Sequence, residues 1–386
     1  MTDPGPPYQC VGSIGRLGNV MFIYASSLGV ARMGNRTLVV KPAYSLLPHF
    51  RVKALVDYGG HLCQKPKKKY DSGCCRFSPN LLQPEERFPA LRVGYYVQSW
   101  RYFAHVEREV RSQFQTYGDT ARRAASLIRR IRREFSEDLQ GPVTLVGVHV
   151  RRGDVARQRV NAFGYQLPSP GYFRRAMLWY LEKFPRVAFV ISSDTKDYVM
   201  ENIIPLCGRE SARHNSSSPI GNKQSANDSA QLRLQPAQQQ RPDDPANRRR
   251  ASDREKEDEK RLSQGGQPLS EPATRTGSPG LPATADGLQG RVIRPSREVT
   301  QQLPEDAEPV PGARCRYVGT ESATVDLAVL AGCDHFIMSM GTYSWWAGWL
   351  TGGIVVYYRH PAREGSSYSK RFNHADFFPP HWVPLE

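Results

Sequence analysis

An uninterrupted apolar run, VTLVGVHV at positions 143–150, limits the possible folds of this chain more than any other feature. Runs without polar alternation are typical of strands that are buried on both faces of a parallel sheet. This run ends directly in Arg151 and Arg152, and Asp154 follows. Guanidinium groups are costly to desolvate, so a pair at the end of a buried strand indicates an anionic ligand or a carboxylate partner.

Strand and helix patterns alternate along both ends of the chain. After 143–150 we predict a helix over 169–184 and a strand over 187–193. Further on we predict a helix over 322–332, a strand over 335–340, a helix over 342–352 and a strand over 354–358. The N-terminal part starts a similar unit, with strand 10–14, turn 15–19, helix 19–33 and strand 37–41. This alternation predicts an α/β fold of two Rossmann-like halves with parallel sheets.

Segment 208–314 has a different composition, without Phe, Trp, Tyr or Cys and rich in Gln, Pro, Gly and Ser. Such a segment cannot bury enough apolar surface to offset its ordering entropy, so we predict a disordered insertion. Apolar sequence resumes directly after it, and Cys207 and Cys315 flank it, which suggests a disulfide at its base. The predicted domains are therefore 8–141, 142–207 together with 315–386, and the insertion 208–314.

The net charge of +16 raises the alternative of a nucleic-acid-binding protein. The insertion holds 17 Lys and Arg residues against 15 Asp and Glu residues, so nearly all the excess positive charge lies in the predicted domains. Part of it belongs to the arginine-rich stretch 121–135, which has the pattern of a solvated helix face. A basic surface suits nucleotide sugars, anionic glycans or a membrane equally well.

The first residues, MTDPGPPYQC, show neither a secretory signal nor a membrane anchor. Residues 336–358 contain no charge and are long enough to cross a bilayer. Their internal glycines and the SMGT break favour a strand, a turn, a helix and a strand in a protein core instead.

Four predicted strands end in polar or glycine-rich sequence, at 15–19, 149–154, 192–194 and 339–342. Ligands of open parallel sheets bind beyond the carboxyl ends of the strands, so these groups predict one cleft. Arg151 and Arg152 offer planar, permanently charged donors to phosphate oxygens. The alternative is that the arginines form a structural ion pair with Asp154.

The turn GRLGN adds backbone donors to the same predicted cleft. Gly15 and Gly18 allow close backbone approach, and Asn19 lies at a helix start, where free amides favour an anion. Thr342 stands at another helix start and can donate similarly, or act as an N-cap. These groups together suit a diphosphate, although GRLGN alone is also compatible with a simple tight turn.

Metal assistance is not expected from the sequence. Outside the insertion there is no Asp-x-Asp pattern to bridge a divalent ion to a diphosphate, and the seven cysteines lack paired CxxC spacing. Arginines would then have to stabilise the charge of a leaving group.

Three ordered stretches, GRLGNVMFIYASSLGVARMGNRTLVV, VGVHVRRGD and DLAVLAGCDHFIMSMGTYSWWAGWLTGG, resemble signature regions of the galactoside α-1,2-L-fucosyltransferases. The HxRRxD pattern is similar to one shared by α-1,6- and protein O-fucosyltransferases. The resemblance covers most of 10–207 and 315–383. It implies a GT-B fold with a cleft between its halves, GDP-β-L-fucose as donor, a terminal β-galactose as acceptor, inversion at the anomeric carbon, and no metal or other cofactor.

The resemblance also implies roles for individual residues. Arg151 and Arg152 would neutralise the departing diphosphate, with His149 and Asp154 orienting them. The donor-binding residues would be Gly15, Arg16, Gly18, Asn19, Asp326, Gly341 and Thr342. The base that takes the acceptor proton is left open between Asp154, Asp326 and His149, or the arginines suffice in a dissociative transition state.

The sequence departs from the family pattern at Val20, where family members usually have glutamine, and at Val155, where they have tyrosine. Both positions are expected beside the cleft, so acceptor choice stays open. The family consists of type II Golgi membrane proteins with an N-terminal anchor, and sequons at Asn35, Asn215 and Asn227 agree with a luminal location. The alternatives are a fucosyltransferase for core N-glycans or protein hydroxyls, and a non-catalytic glycan- or nucleic-acid-binding protein.

Overall fold

A computed structural model describes residues 7–71, 73–156, 162–208 and 308–386. The strands are β1 Tyr8–Cys10, β2 Thr37–Val40, β3 Leu55–Val56, β4 Lys67–Tyr70, β5 Ala90–Gly94, β6 Thr144–Val150, β7 Val187–Ser193, β8 Arg314–Tyr317, β9 His335–Met338, β10 Val355–Tyr358 and β11 Val383–Leu385. The α-helices are α1 Leu17–Met33, α2 Glu107–Gln113, α3 Gly118–Asp138, α4 Pro170–Lys183, α5 Lys196–Asn202, α6 Ala323–Ala331, α7 Gly341–Thr351 and α8 His374–Phe377.

The strands form two parallel sheets. The N-terminal sheet has the order β3-β2-β1-β5-β4, and the C-terminal sheet has the order β11-β10-β9-β6-β7-β8. The run 143–150 becomes β6 at the centre of the second sheet, where Gly147 pairs with Val190 of β7 and with Phe336 of β9. Six of its seven residues are buried, as the continuous apolar pattern predicts. The predicted α/β architecture with two parallel sheets is confirmed.

Helices α1 and α7 connect the two halves through one hydrophobic core. Phe22 of α1 lies with its ring centroid 4.6 Å from that of Trp345 and 5.0 Å from that of Trp346, both on α7. All three side chains are fully buried. Helix α1 is therefore apolar around most of its circumference, because it is covered by its own sheet on one side and by α7 on another.

The end of the chain returns to the N-terminal half. The Ser99 hydroxyl donates to the carbonyl of Asp376 at 2.6 Å, and Arg101 forms an ion pair with the Asp376 carboxylate at 2.8 Å. The Trp345 indole N–H donates to the carbonyl of Phe377 at 2.8 Å. Residues 372–378, which the domain prediction places with the C-terminal half, thus pack against both halves.

The predicted disulfide between Cys207 and Cys315 is present, and a second one joins Cys10 to Cys63. The predicted insertion is too long at its C-terminal end. Val310 and Ala313 are buried, and the Val310 amide donates to the Leu206 carbonyl at 2.7 Å. Residues 308–314 therefore belong to the fold, because Val310 and Ala313 anchor this otherwise mostly exposed stretch in the core. The rest of the insertion, 209–307, lies outside the described residues.

Other predicted elements match with small shifts. The first strand is Tyr8–Cys10 rather than 10–14, since the residues after Cys10 leave the sheet to form the glycine-containing turn. Residues 336–358 form a strand, a helix and a strand, as predicted. In the described part of the chain, no helix has both the length and the apolar character needed to cross a bilayer.

We predict that Gly18→Ala destabilises the fold. A Cβ at residue 18 would lie 2.5 Å from the backbone nitrogen of Tyr343 and 2.6 Å from the carbonyl carbon of Thr342. The two helices would have to separate, at an expected cost of about 1–3 kcal/mol in the free energy of unfolding measured with denaturant. Gly34→Ala, at the other end of α1, is the control, because its nearest neighbour would be 3.5 Å away. Equal stabilities for the two variants would contradict the proposed close contact.

Candidate active site

The starts of α1 and α7 meet at Gly18. The buried Gly18 carbonyl accepts a hydrogen bond from the Trp346 indole N–H at 3.1 Å, and no side-chain volume separates the helix from Tyr343. These two helices follow the carboxyl ends of strands in different sheets, α1 after β1 through a turn and α7 after β9. The predicted convergence of GRLGN with the SMGT segment is therefore observed.

Asn19 joins the two helix starts by hydrogen bonds. Its side-chain oxygen accepts from the Thr342 hydroxyl at 2.8 Å and from the side-chain NH₂ of Gln98 at 3.1 Å. The Thr342 hydroxyl is consequently engaged within the protein, whereas the sequence suggested that it donates to a ligand. The N-cap residue of α7 is Met340 rather than Thr342. Gln98, which follows β5, was not predicted, because its role arises from a contact across the sheet.

Both helices begin without a side-chain cap. The N-cap residues are Arg16 for α1 and Met340 for α7, and neither side chain accepts a hydrogen bond from the first turn. Gly15 and Gly341 have φ angles of +78° and +80°, a conformation that favours glycine, and a Cβ on Gly341 would meet nothing within 4 Å. Uncapped helix starts carry partial positive charge and attract anions.

Arg151 is held by two carboxylates. Its guanidinium forms ion pairs with Asp154 and, at 2.5 Å, with Asp194, and only 14% of its side chain is exposed. Asp194 also accepts from the backbone N–H groups of Arg152 at 2.9 Å and Gly153 at 3.1 Å. The structural alternative for Arg151, an ion pair with Asp154, is thus observed. Asp194 was noted at the end of β7 but not chosen as a site residue, although β6 and β7 are neighbours.

Asp154 connects the two halves of the site. One of its oxygens accepts from Arg16 at 2.6 Å, while the other pairs with Arg151. Burial opposes ionisation, but the Arg16 hydrogen bond and the charges of Arg151 and Arg16 outweigh it and lower the pKa of Asp154. The Arg16 side chain is 63% exposed, so this pair contributes little stability and mainly fixes position.

Arg152 has different surroundings from its neighbour. Its guanidinium carbon lies 3.9 Å from the centroid of the Tyr198 ring, a cation–π contact. Among the described residues, no carboxylate forms an ion pair with this side chain, which is half-buried at the end of β6. Arg152 is therefore the arginine of the pair whose charge is available to an anionic ligand.

His149 is buried and makes no hydrogen bond to either arginine. It is 4% exposed, its ring centroid lies 4.7 Å from that of Tyr343, and its Nδ1 atom has no hydrogen-bond partner. Burial lowers the pKa of His149 to about 3; the Asp194 charge opposes this shift and Arg151 adds to it. The orienting role expected of His149 is occupied instead by Asp194, which forms the ion pair with Arg151, while the buried imidazole packs against Tyr343.

Asp326 lies beneath the site rather than in it. Its carboxylate accepts from the Thr320 hydroxyl at 2.6 Å, from the Thr320 amide at 3.0 Å and from the Ser192 hydroxyl at 3.3 Å. Burial raises the pKa of Asp326, and the hydrogen bonds from Thr320 and Ser192, which lower it, only partly offset this shift. Asp326 is 8% exposed, and its described hydrogen bonds go to Thr320 and Ser192.

The two departures from the family pattern are buried. Val20 is 3% exposed within α1 and Val155 is 8% exposed, so neither side chain lines an open surface. Asn35 is exposed with a φ of +47° between α1 and β2. Asn215 and Asn227 lie outside the described residues.

Within residues 7–71, 73–156, 162–208 and 308–386, no three His, Cys, Asp or Glu side chains gather as metal ligands. A cavity of about 520 Å³ is lined by residues including Phe50, Arg111 and Leu327. It contains none of the predicted site residues, and Arg111 is already engaged by Glu107 and by the Trp349 carbonyl, so we assign it no function.

The buried His149 predicts a specific pH dependence of stability. The unfolded chain binds a proton below about pH 6.5, whereas folded His149 stays neutral down to about pH 3, so acidification favours unfolding. Between about pH 6 and about pH 4, the stability of the wild type relative to His149→Gln should fall by up to about 1.4 kcal/mol per pH unit.

Denaturant unfolding at several pH values measures this difference. Burial raises the pKa of Asp71 to about 7, which gives the opposite slope, but this contribution is common to both proteins and cancels. The same substitution at the exposed His381 should leave the pH dependence unchanged. A pH-independent difference between wild type and His149→Gln would show that the imidazole is not buried neutral.

Three known proteins show what this chain is similar to. Galactoside alpha-(1,2)-fucosyltransferase 1 of Alouatta caraya is 30% identical over 194 residues, 49% of this chain and 51% of that protein, so the chain spans about half the length of this curated relative. Galactoside alpha-(1,2)-fucosyltransferase 2 of Sus scrofa is 22% identical over 380 residues, 97% of this chain and 79% of that protein. The crystal structure of the fucosyltransferase NodZ from Bradyrhizobium aligns over 89% of this chain and 92% of that chain, with 11% identity and a TM-score of 0.40.

One family model covers most of the chain. This model, described as "Glycosyl transferase family 11", matches residues 8–225 and 312–386. The matched residues include both sheets and every residue of the candidate site. The chain belongs to glycosyl transferase family 11.

Proposed function

We propose that this chain transfers L-fucose from GDP-β-L-fucose to the 2-hydroxyl of a terminal β-galactose on glycoproteins or glycolipids, with inversion and without a metal ion. Family membership supports a glycosyltransferase, and the names of the relatives, galactoside alpha-(1,2)-fucosyltransferases, support the sugar and the linkage. The partners are then a nucleotide sugar and a glycan, with no role for nucleic acid.

The observation that carries this proposal is the meeting of two uncapped helix starts at Gly18. Each start presents backbone N–H groups without a side-chain acceptor, and the two come from different halves of the fold. A diphosphate with two negative phosphoryl groups suits such a position, since each group can face one helix start. Arg152 adds a guanidinium without a carboxylate partner among the described residues on the same edge of the sheet.

The arginine and carboxylate network would prepare the site for the leaving group. Asp154 and Asp194 fix Arg151, and Asp194 also fixes the backbone of Arg152 and Gly153. Arg152 is therefore attached to a rigid turn while its side chain remains exchangeable between Tyr198 and a phosphate. Donors that are already in place when negative charge develops on the departing GDP lower the barrier most.

The described candidates for a base are poorly suited to accept a proton. Asp154 is held by two arginines that lower its pKa, and His149 is a weak base with a pKa of about 3. Asp326 is enclosed by Thr320 and Ser192. These surroundings support a dissociative, oxocarbenium-like transition state, in which the bond to GDP is largely broken before the galactose hydroxyl loses its proton.

Localisation in the lumen of the Golgi, with an N-terminal anchor, remains part of the proposal. Two disulfides support an oxidising compartment, and the exposed Asn35 supports access by the glycosylation machinery. Absence of an N-glycan at Asn35, Asn215 and Asn227 after expression through the secretory pathway would count against it.

Substitution of Arg152 tests the chemistry. We predict that Arg152→Ala lowers the rate of fucose transfer from GDP-fucose to lactose by about 100- to 1000-fold, because the diphosphate loses a charged donor. Transfer is measured with labelled GDP-fucose in EDTA, and the product linkage is read by NMR. Arg133→Ala removes the same charge from an exposed face of α3 and should leave the rate unchanged.

The result expected for wild type is an EDTA-resistant product with fucose on the galactose 2-hydroxyl. Near-normal turnover by Arg152→Ala would remove the role assigned to this arginine. Transfer to chitobiose or peptide acceptors but not to lactose would assign the chain to another acceptor class. No transfer together with strongly salt-dependent nucleic-acid binding would favour the non-catalytic alternative.

A further inference from the structure

The adjacent thiols of Cys74 and Cys75 have no role in the proposed transfer reaction. Four of the seven cysteines form disulfides, and Cys74, Cys75 and Cys333 are free. The sulfurs of Cys74 and Cys75 lie 2.7 Å apart, with Cys74 half-buried and Cys75 buried. Cys333 is a single buried thiol at the end of α6.

The backbone around the pair is fixed from two sides. The backbone N–H of Gln98 donates to the Cys74 carbonyl at 2.9 Å, and the backbone N–H of Asn373 donates to the Cys75 carbonyl at 3.2 Å. Cys75 also forms a bridge with Phe372 of the returning C-terminal segment. The two sulfurs are therefore held together by the fold and not only by their neighbouring positions in sequence.

A chain of hydrogen bonds links this pair to the candidate active site. The Cys75 thiol donates to the Gln98 side-chain oxygen at 3.4 Å, and the side-chain NH₂ of Gln98 donates to the Asn19 side-chain oxygen at 3.1 Å. Asn19 is the acceptor that joins the starts of α1 and α7 through Thr342. A change at Cys75 is thus two hydrogen bonds away from the helix starts.

We propose that Cys74 and Cys75 are a redox modification site, which forms a disulfide between adjacent residues by exchange with a small-molecule disulfide such as oxidised glutathione. The thiolate of Cys74, the more accessible of the two, attacks the glutathione disulfide and releases one glutathione thiolate. The Cys75 sulfur then attacks the Cys74 sulfur, releases the second glutathione thiolate and gives up its proton to it. Two thiols are oxidised and one disulfide is reduced.

This disulfide should be easier to reduce than the other two. Adjacent Cα atoms are about 3.8 Å apart, below the roughly 4.4–6.8 Å usual for disulfides, and such deviations make a disulfide more reducible. Strained disulfides are typically the labile ones. The pair should therefore respond to glutathione ratios that leave Cys10–Cys63 and Cys207–Cys315 oxidised.

Mass spectrometry tests the modification directly. Tryptic cleavage after Lys69 and Arg76 releases YDSGCCR, which contains both cysteines and no other. The intact protein is equilibrated with oxidised and reduced glutathione, blocked with N-ethylmaleimide and digested without reduction. In oxidised glutathione the peptide should be unlabelled and lighter than the dithiol by two hydrogens, and in reduced glutathione it should carry two labels.

Three results would overturn the proposal: two labels on the peptide in oxidised glutathione, a persistent glutathione adduct on Cys74, or a cross-link to another peptide. Cys74→Ala provides the matched control, since its remaining thiol cannot form the internal disulfide. The readout is covalent and requires no catalytic activity, so its failure leaves the proposed transfer reaction untouched.

The link to the active site has its own measurement and rests on the proposed function. Oxidation removes the thiol hydrogen that Gln98 accepts, and the loss of one such bond is expected to lower kcat/KM for GDP-fucose by about two- to tenfold. Cys74→Ala should show no change on oxidation, and Cys333→Ala should respond like the wild type. An oxidised wild type with unchanged kcat/KM would limit the pair to a modification without effect on catalysis.

Discussion

The close contact between the starts of α1 and α7 is the constraint on which the candidate site depends. Gly18 permits it, because a side chain there would collide with the backbone of Thr342 and Tyr343. Asn19 holds it by accepting hydrogen bonds from Thr342 and Gln98, and the aromatic core around Phe22 and Trp346 supports it. One glycine thus brings two helix dipoles from separate halves of the fold to a common point.

The two adjacent arginines at the end of β6, Arg151 and Arg152, have different surroundings. Arg151 is nearly enclosed and neutralised by Asp154 and Asp194, so it acts as part of the scaffold. Arg152 lies against Tyr198, a contact that a phosphate can replace at small cost because a cation–π contact is worth about 0.5–1 kcal/mol when exposed. Under the proposed function, the pair that stands out in the sequence is a positioning residue, Arg151, followed by a phosphate-binding one, Arg152.

The sequence predicts the fold well because buried parallel strands and their helices have strong periodicity, as in 143–150 and 342–352. It also predicts which segments meet, since polar groups after parallel strands share one edge. It does not predict which arginine is paired, nor the contributions of Asp194 and Gln98, because these depend on side-chain contacts between neighbouring strands and loops. The Cys10–Cys63 disulfide and the buried edge of the insertion at Val310 depend similarly on three-dimensional proximity.

A crystal structure of the protein with GDP, grown in the presence of EDTA, would show directly whether the two helix starts bind the diphosphate. We expect the diphosphate at the meeting point of α1 and α7, with backbone N–H groups of both helix starts facing it and the Arg152 guanidinium moved from Tyr198 to a phosphate oxygen. Arg151 should keep its ion pairs with Asp154 and Asp194. A diphosphate bound away from Gly18 and Gly341, with Arg152 still on Tyr198, would show that the helix starts are not the donor site.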